Sequence, residues 1–83
     1  MVSEKSTAVD NPTTLGALIR KRRKELGYTQ QRVSGLAGVG ARFLSELERG
    51  KTTAEIGKVL RVLQLLGLDL WVKPRAKASD ADG

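Results

Sequence analysis

The sequence predicts an all-α domain of four helices with one short strand at its C-terminal end. Three observations carry that reading. Apolar residues recur at helical spacing in four successive segments, and a glycine closes each of them. The twenty residues from Gln30 to Arg49 satisfy the spacing rules of two short helices crossing over a tight turn. Only once, in "LDLWVK" at 68–73, does the apolar period change to two. The 83 residues suffice for one small domain, with residues 13–67 as its body.

Residues 1–12, "MVSEKSTAVDNP", are polar and end in Asn-Pro, the composition of a disordered arm. The first helix then starts at Thr13 or Thr14, either of which serves as N-cap. Leu15, Leu18, Ile19 and Leu26 fall on one side, Gly27 closes the helix, and its outer face carries "RKRRK" at 20–24. The second helix has Thr29 as its cap and runs "QQRVSGLA", with Val33, Leu36 and Ala37 inward. The third, "ARFLSELER" at 41–49, turns Leu44 and Leu47 inward and stops at Gly50. In the fourth, Thr52 as N-cap and Glu55 three residues on have the form of a capping box. Ile56, Val59, Leu60, Leu63 and Leu66 make its core stripe, Gly67 ends it, and Val62 and Leu65 give it a second apolar side. In 68–73, Leu68, Leu70 and Val72 alternate with Asp69, Trp71 and Lys73 ahead of Pro74, which reads as a strand. A short fifth helix is the alternative. Residues 74–83 lack any large apolar side chain and read as a disordered tail.

Composition removes several kinds of chemistry. Histidine and cysteine are both absent, which excludes the usual zinc sites, thiol nucleophiles, disulfides and imidazole acid/base work. No paired-acid site suggests itself among carboxylates that mostly sit beside basic residues, so the chain is not expected to be an enzyme. No cofactor or small-molecule substrate is expected either. No apolar run is long enough to cross a bilayer and no signal peptide is visible, so a cytoplasmic location and no membrane partner are expected. Fifteen Lys and Arg against nine Asp and Glu give a formal charge of +6, the footprint of a chain that meets phosphates.

The stretch "SGLAGVGARFL" tests one phosphate-binding reading directly. A dinucleotide loop needs G-x-G-x-x-G after a strand, whereas here Gly35, Gly38 and Gly40 follow a helix in the order G-x-x-G-x-G. Counting from Gln30 gives a better account. The fifth residue, Ser34, is small where two helices cross, and the ninth, Gly38, sits where the chain must turn left-handed. Positions four, eight, ten, fifteen and eighteen are Val33, Ala37, Val39, Leu44 and Leu47, all apolar. They fill the wedge of a helix-turn-helix. The glycines are for turning, and Gly40 is a permissive cap or a point of close backbone approach to a duplex.

With those residues in view, "RKELGYTQ", "VSGLAGV" and "LSELERGK" make residues 15–66 resemble the Xre/Cro-type helix-turn-helix family, with its lambda-repressor-like fold. Four helices followed by the extended "GLDLWVKP" resemble the HipB-type antitoxins within it more than repressors with a fifth helix. The resemblance implies a homodimer on a palindromic double-stranded DNA operator, with the third helix in the major groove. For HipB-type proteins it further implies a HipA-like kinase toxin as partner, repression of the chain's own operon, and a C-terminal strand paired across the dimer. A stand-alone phage-type repressor and a protein-interaction module that keeps the fold are the rival readings. Cation density around the docking face argues against the module, and the lack of an aromatic stacking platform argues against RNA.

On that frame the third helix presents Ala41, Arg42, Ser45, Glu46 and Arg49 to base edges, with Phe43 partly outward. Arg42 is placed either to bridge O6 and N7 of guanine or to hold a phosphate. Ala41 suits a thymine methyl, Ser45 a base or phosphate, and Glu46 either cytosine N4 or solvent. Gln30 and Gln31 open the second helix, where backbone amides favour a phosphate, and the family pattern puts Gln30 on the DNA backbone. Thr29, Arg32 and Lys51 are further backbone candidates. The family also implies a structural ion pair between Arg23 and Glu48 that fixes the angle of the recognition helix.

A lone strand leaves its backbone unsatisfied, so pairing with the same segment of a second copy is the simplest solution. The expected dimer interface is Val62, Leu65, Leu68, Leu70, Trp71 and Val72. Trp71 either packs beneath the dimer or stays exposed as an anchor for a partner.

Overall fold

The computed structural model describes residues 6–75; residues 1–5 of the expected arm and 76–83 of the expected tail lie outside the described residues. Four helices follow one another: α1 (Pro12–Glu25), α2 (Gln30–Ala37), α3 (Ala41–Glu48) and α4 (Ile56–Leu65). Helix α3 packs on both α1 and α2, and α4 packs on α2. Ile19, Val33, Ala37, Val39, Leu44, Leu47, Val59, Val62, Leu63 and Leu66 form one buried cluster between them. All five apolar positions of the twenty-residue pattern are in it.

The turn between α2 and α3 is made as the spacing requires. Gly38 adopts φ +70°, ψ +31°, and its N–H reaches back to the carbonyls of Gly35 and Ser34. Val39 N–H then donates to Ser34 O at 2.9 Å, closing the wedge over the buried Ser34. Thr29 caps α2 through its Oγ1, which accepts from Arg32 N at 3.1 Å.

Several expectations are corrected at element ends and faces. Asn11, not Thr13 or Thr14, caps α1: its Oδ1 accepts from Thr14 N at 2.8 Å and Pro12 is already helical. Proline's fixed φ and missing donor suit the first helical position, so the Asn-Pro read as the end of an arm is the start of a helix. Leu26 and Leu36, expected inward, are exposed. The Thr52–Glu55 capping box does not form; α4 begins at Ile56, and Glu55 precedes it without a side-chain cap bond. Residues 52–55 are instead used to cross from α3 to α4, with Ala54 resting on the core.

The inward face of α4 is Val59, Val62, Leu63 and Leu66, while Ile56 is 64% and Leu60 38% exposed. Val62, assigned by sequence to a dimer interface, is fully buried in its own chain's core, because the stripe that meets α2 passes through it. Leu65 and Leu68 are half-buried against the same core. The chain leaves α4 through Gly67 at φ +69°, and Leu68 N–H donates to Leu63 O at 2.9 Å. From Leu68 to Arg75 neither a strand nor a fifth helix is present in the single chain. Leu70, Trp71 and Val72 are left exposed.

Candidate nucleic-acid interface

Helix α3 is divided along its length. Leu44, Leu47 and Glu48 are buried, whereas Ala41 and Arg42 are exposed and Ser45 and Glu46 are half-exposed. The 100° step per residue lines 41, 42, 45, 46 and 49 along the opposite flank, with Arg49 exposed as the C-cap. Gly40 precedes α3 with no side-chain cap bond, and a Cβ there would meet nothing within 4 Å. The backbone at this end is open to a ligand.

The exposed flank carries an ion-pair chain that sequence reasoning did not foresee. Glu46 Oε1 accepts from Lys51 Nζ at 3.0 Å, and Glu46 Oε2 lies 3.4 Å from Arg42 Nε. Lys51, followed by Arg42, holds the Glu46 carboxyl below the usual carboxylate range despite some desolvation. Arg42 nevertheless has 90% of its side chain exposed. Its guanidinium is tethered by one exposed i,i+4 contact and otherwise faces water.

At the other end of α3, Glu48 is the hub. Arg23 of α1 donates through Nε to Glu48 Oε2 at 2.6 Å and through Nη2 to Oε1 at 2.9 Å, and its Nη1 donates to Tyr28 O at 2.8 Å. The side chains are 9% and 2% exposed, so this is a buried, bidentate pair. Gln30, read from sequence as a phosphate contact, donates its Nε2 to Glu48 Oε1 at 3.0 Å. One carboxylate thereby joins the helices α1, α2 and α3. Arg32 is exposed and stands over the Tyr28 ring at 5.7 Å, and Gln31 and Thr29 are exposed beside it at the opening of α2.

Burial pushes the Glu48 carboxyl up, but hydrogen bonds from Arg23 and Gln30, with the charges of Arg23 and Arg20, outweigh it and hold the group low. The same pair raises Arg23. A carboxyl that is more acidic folded than unfolded contributes stability that is complete above the unfolded value, about 4.3. As pH falls through that value toward the folded one, the unfolded chain takes up the proton first and the contribution is lost. The melting temperature is therefore expected to fall as the pH drops below about 4.3, and to fall less in an Arg23→Met, Glu48→Leu double variant. Equal acid sensitivity in both proteins would contradict this origin.

Two further features are not legible in the sequence. Gly16 sits within α1 where no turn requires it, and a Cβ there would lie 2.7 Å from Glu48 O and 2.9 Å from Glu48 C. A glycine inside a helical pattern costs about 1 kcal/mol, and that cost was the available signal of a close approach. Arg22 Nε donates to Leu66 O at 2.8 Å, tying the end of α4 to α1. Nothing in a run of five basic residues marks one of them for that duty.

The chain matches a family model described as helix-turn-helix over residues 19–70. A protein of Sinorhizobium fredii described as an uncharacterized HTH-type transcriptional regulator, y4mF, is 52% identical over 62 residues, spanning 75% of this chain and 82% of that one. Among solved structures, a HipB-O4 20mer complex is similar at a TM-score of 0.77 and 20% identity, over 84% of this chain and 99% of that one. A HipA-HipB-O2-O3 complex is similar with the same values. At that identity the structures speak for the fold, and the family rests on the model and the closely similar regulator. The chain belongs to the Xre-type helix-turn-helix family of transcriptional regulators.

Proposed function

We propose that the chain is a sequence-specific DNA-binding repressor that acts as a homodimer on a palindromic operator. The observation that carries this reading is the exposed flank of α3, held at a fixed angle by the Arg23–Glu48 pair. The N-terminal half of α3 enters the major groove, with Ala41, Arg42 and Ser45 at base edges. Thr29, Gln31 and Arg32 at the opening of α2, with Arg49 and Lys51 after α3, meet phosphates on either side. Gln30 reaches the backbone through its N–H at the start of α2, since its side chain serves Glu48.

Arg42 is the test. Operators selected by the protein from random duplexes should lose about 1–3 kcal/mol of binding to Arg42→Ala, with preference relaxed at one base pair of each half-site. Equal weakening on every sequence would instead make Arg42 a phosphate contact.

The finer proposal is that this repressor is the antitoxin of a HipBA-like operon, which it autoregulates, and that it neutralises a kinase toxin. Its support is the likeness to HipB, which has been solved in complex with HipA. The fit to an open C-terminal segment is further support: Leu70, Trp71 and Val72 are exposed and await a partner. Residues 68–73 become a strand by pairing with the twin segment, burying Leu70, Val72 and Trp71. Deleting 68–83 is expected to turn the dimer into monomers in sedimentation; an unchanged dimer would rule out the paired strands. A kinase-like reading frame overlapping this one, and co-purification of the two products, would distinguish the antitoxin from a stand-alone repressor.

A further inference from the structure

We propose that Glu46 is a discrimination device built into α3: it holds Arg42 and Lys51 while the protein is free, and so lowers affinity for DNA of the wrong sequence. The inference rests on the DNA-binding reading above. Its basis is the chain Arg42–Glu46–Lys51, with contacts of 3.4 and 3.0 Å on the two carboxylate oxygens. Lys51 is guided there by its own backbone, whose N–H donates to Glu46 O at 3.1 Å. Among the described residues Arg42 pairs with Glu46 alone and 90% of its side chain is in water, so that carboxylate is what restrains it.

A duplex without the operator sequence offers mainly phosphates. To use them, Arg42 and Lys51 must leave Glu46, which then faces a polyanion with its charge uncompensated. Both effects penalise binding through charge alone. On the operator, the guanidinium enters the groove and the carboxylate keeps a donor there, either Arg42 itself or an exocyclic amino group such as cytosine N4. The penalty is thus largest where no base contact replaces the ion pairs. Glu46 is the half-exposed carboxylate on this flank, Glu48 of the same helix being buried.

The experiment compares wild-type protein with Glu46→Gln on the selected operator and on a scrambled duplex of equal composition, over a range of salt. On the scrambled duplex the variant is expected to bind about tenfold more tightly at low salt, with a salt slope steeper by about one to two. Operator affinity should rise less, so the ratio between the two falls. Arg42→Gln should cost little scrambled-duplex affinity in the wild-type background and several-fold in the Glu46→Gln background. Glu46→Ser must behave as Glu46→Gln does, which separates lost charge from altered packing. Unchanged or weaker binding of the scrambled duplex by both Glu46 variants overturns the proposal. So does a loss confined to the operator, which would make Glu46 a base-reading acceptor only. A wild-type protein that binds neither duplex would instead overturn the DNA-binding reading itself.

Discussion

Glu48→Ala is expected to lower the stability of the domain by about 3–5 kcal/mol, the cost of leaving one member of a buried ion pair without its partner. The physical reason is asymmetric. In the folded chain the Arg23 side chain is 9% exposed and its guanidinium gives two of its donors to Glu48. Without the carboxylate it keeps only the Tyr28 carbonyl, and Gln30 Nε2 loses its acceptor as well. Arginine does not escape by losing its proton, so the charge stays desolvated or drags water into the junction of three helices. For a domain of this size the loss corresponds to a fall in melting temperature of at least about 12 °C. Removing both partners together, as Arg23→Met with Glu48→Leu, should restore much of the stability, because two apolar side chains need no hydrogen bonds there. Calorimetry on the two variants decides it. A single variant that melts within a few degrees of wild type would mean the pair is not energetically coupled to the fold.

The second large effect is one of sign. Alanine is a better helix former than glycine by about 1 kcal/mol in an exposed helix, so Gly16→Ala ought to stabilise α1. Here it is expected to cost about 1–3 kcal/mol, and more if α3 resists displacement. The added methyl would press on the backbone of Leu47 and Glu48, which has no rotamer to turn aside. The backbone that must move is the end of the recognition helix, so operator affinity should fall further than the loss of stability alone explains. Denaturant titration of Gly16→Ala measures the first effect and operator binding at a temperature where the variant stays folded measures the second. Increased stability would show that α1 and α3 have room to spare.

The helix-turn-helix was legible because its constraints are local. Val33, Ser34, Ala37, Gly38, Val39, Leu44 and Leu47 lie within one short window, and each is fixed by a single steric requirement. The Arg23–Glu48 relation came from resemblance to a family, not from the residues, since nothing in a basic run singles out position 23. What was not legible depends on distant packing. The inward face of α4 follows from where α2 lies, and that decides for Val62 over Ile56 and Leu60, although all are apolar at acceptable spacing. The start of α4 is hidden from the sequence for a related reason. Thr52 and Glu55 have the local form of a capping box, but the span from α3 to the core consumes those residues before a helix is possible. On the proposed interface, the residue types and the exposed flank were visible from periodicity, while the pairing of Glu46 with Lys51 depends on a loop that returns over its own helix. For the same reason the side-chain bond of Gln30 to Glu48 is not legible in the sequence: the two residues lie eighteen positions apart.

The unequal burial of α3 has an evolutionary consequence. Substitutions at 41, 42 and 45 touch little of the protein's interior, and changes of that kind usually alter folding free energy by less than about 0.5 kcal/mol. Positions 44, 47 and 48 carry the opposite burden. A lineage built on this scaffold is therefore free to diverge in the sequences it addresses, acquiring new targets without first acquiring spare stability.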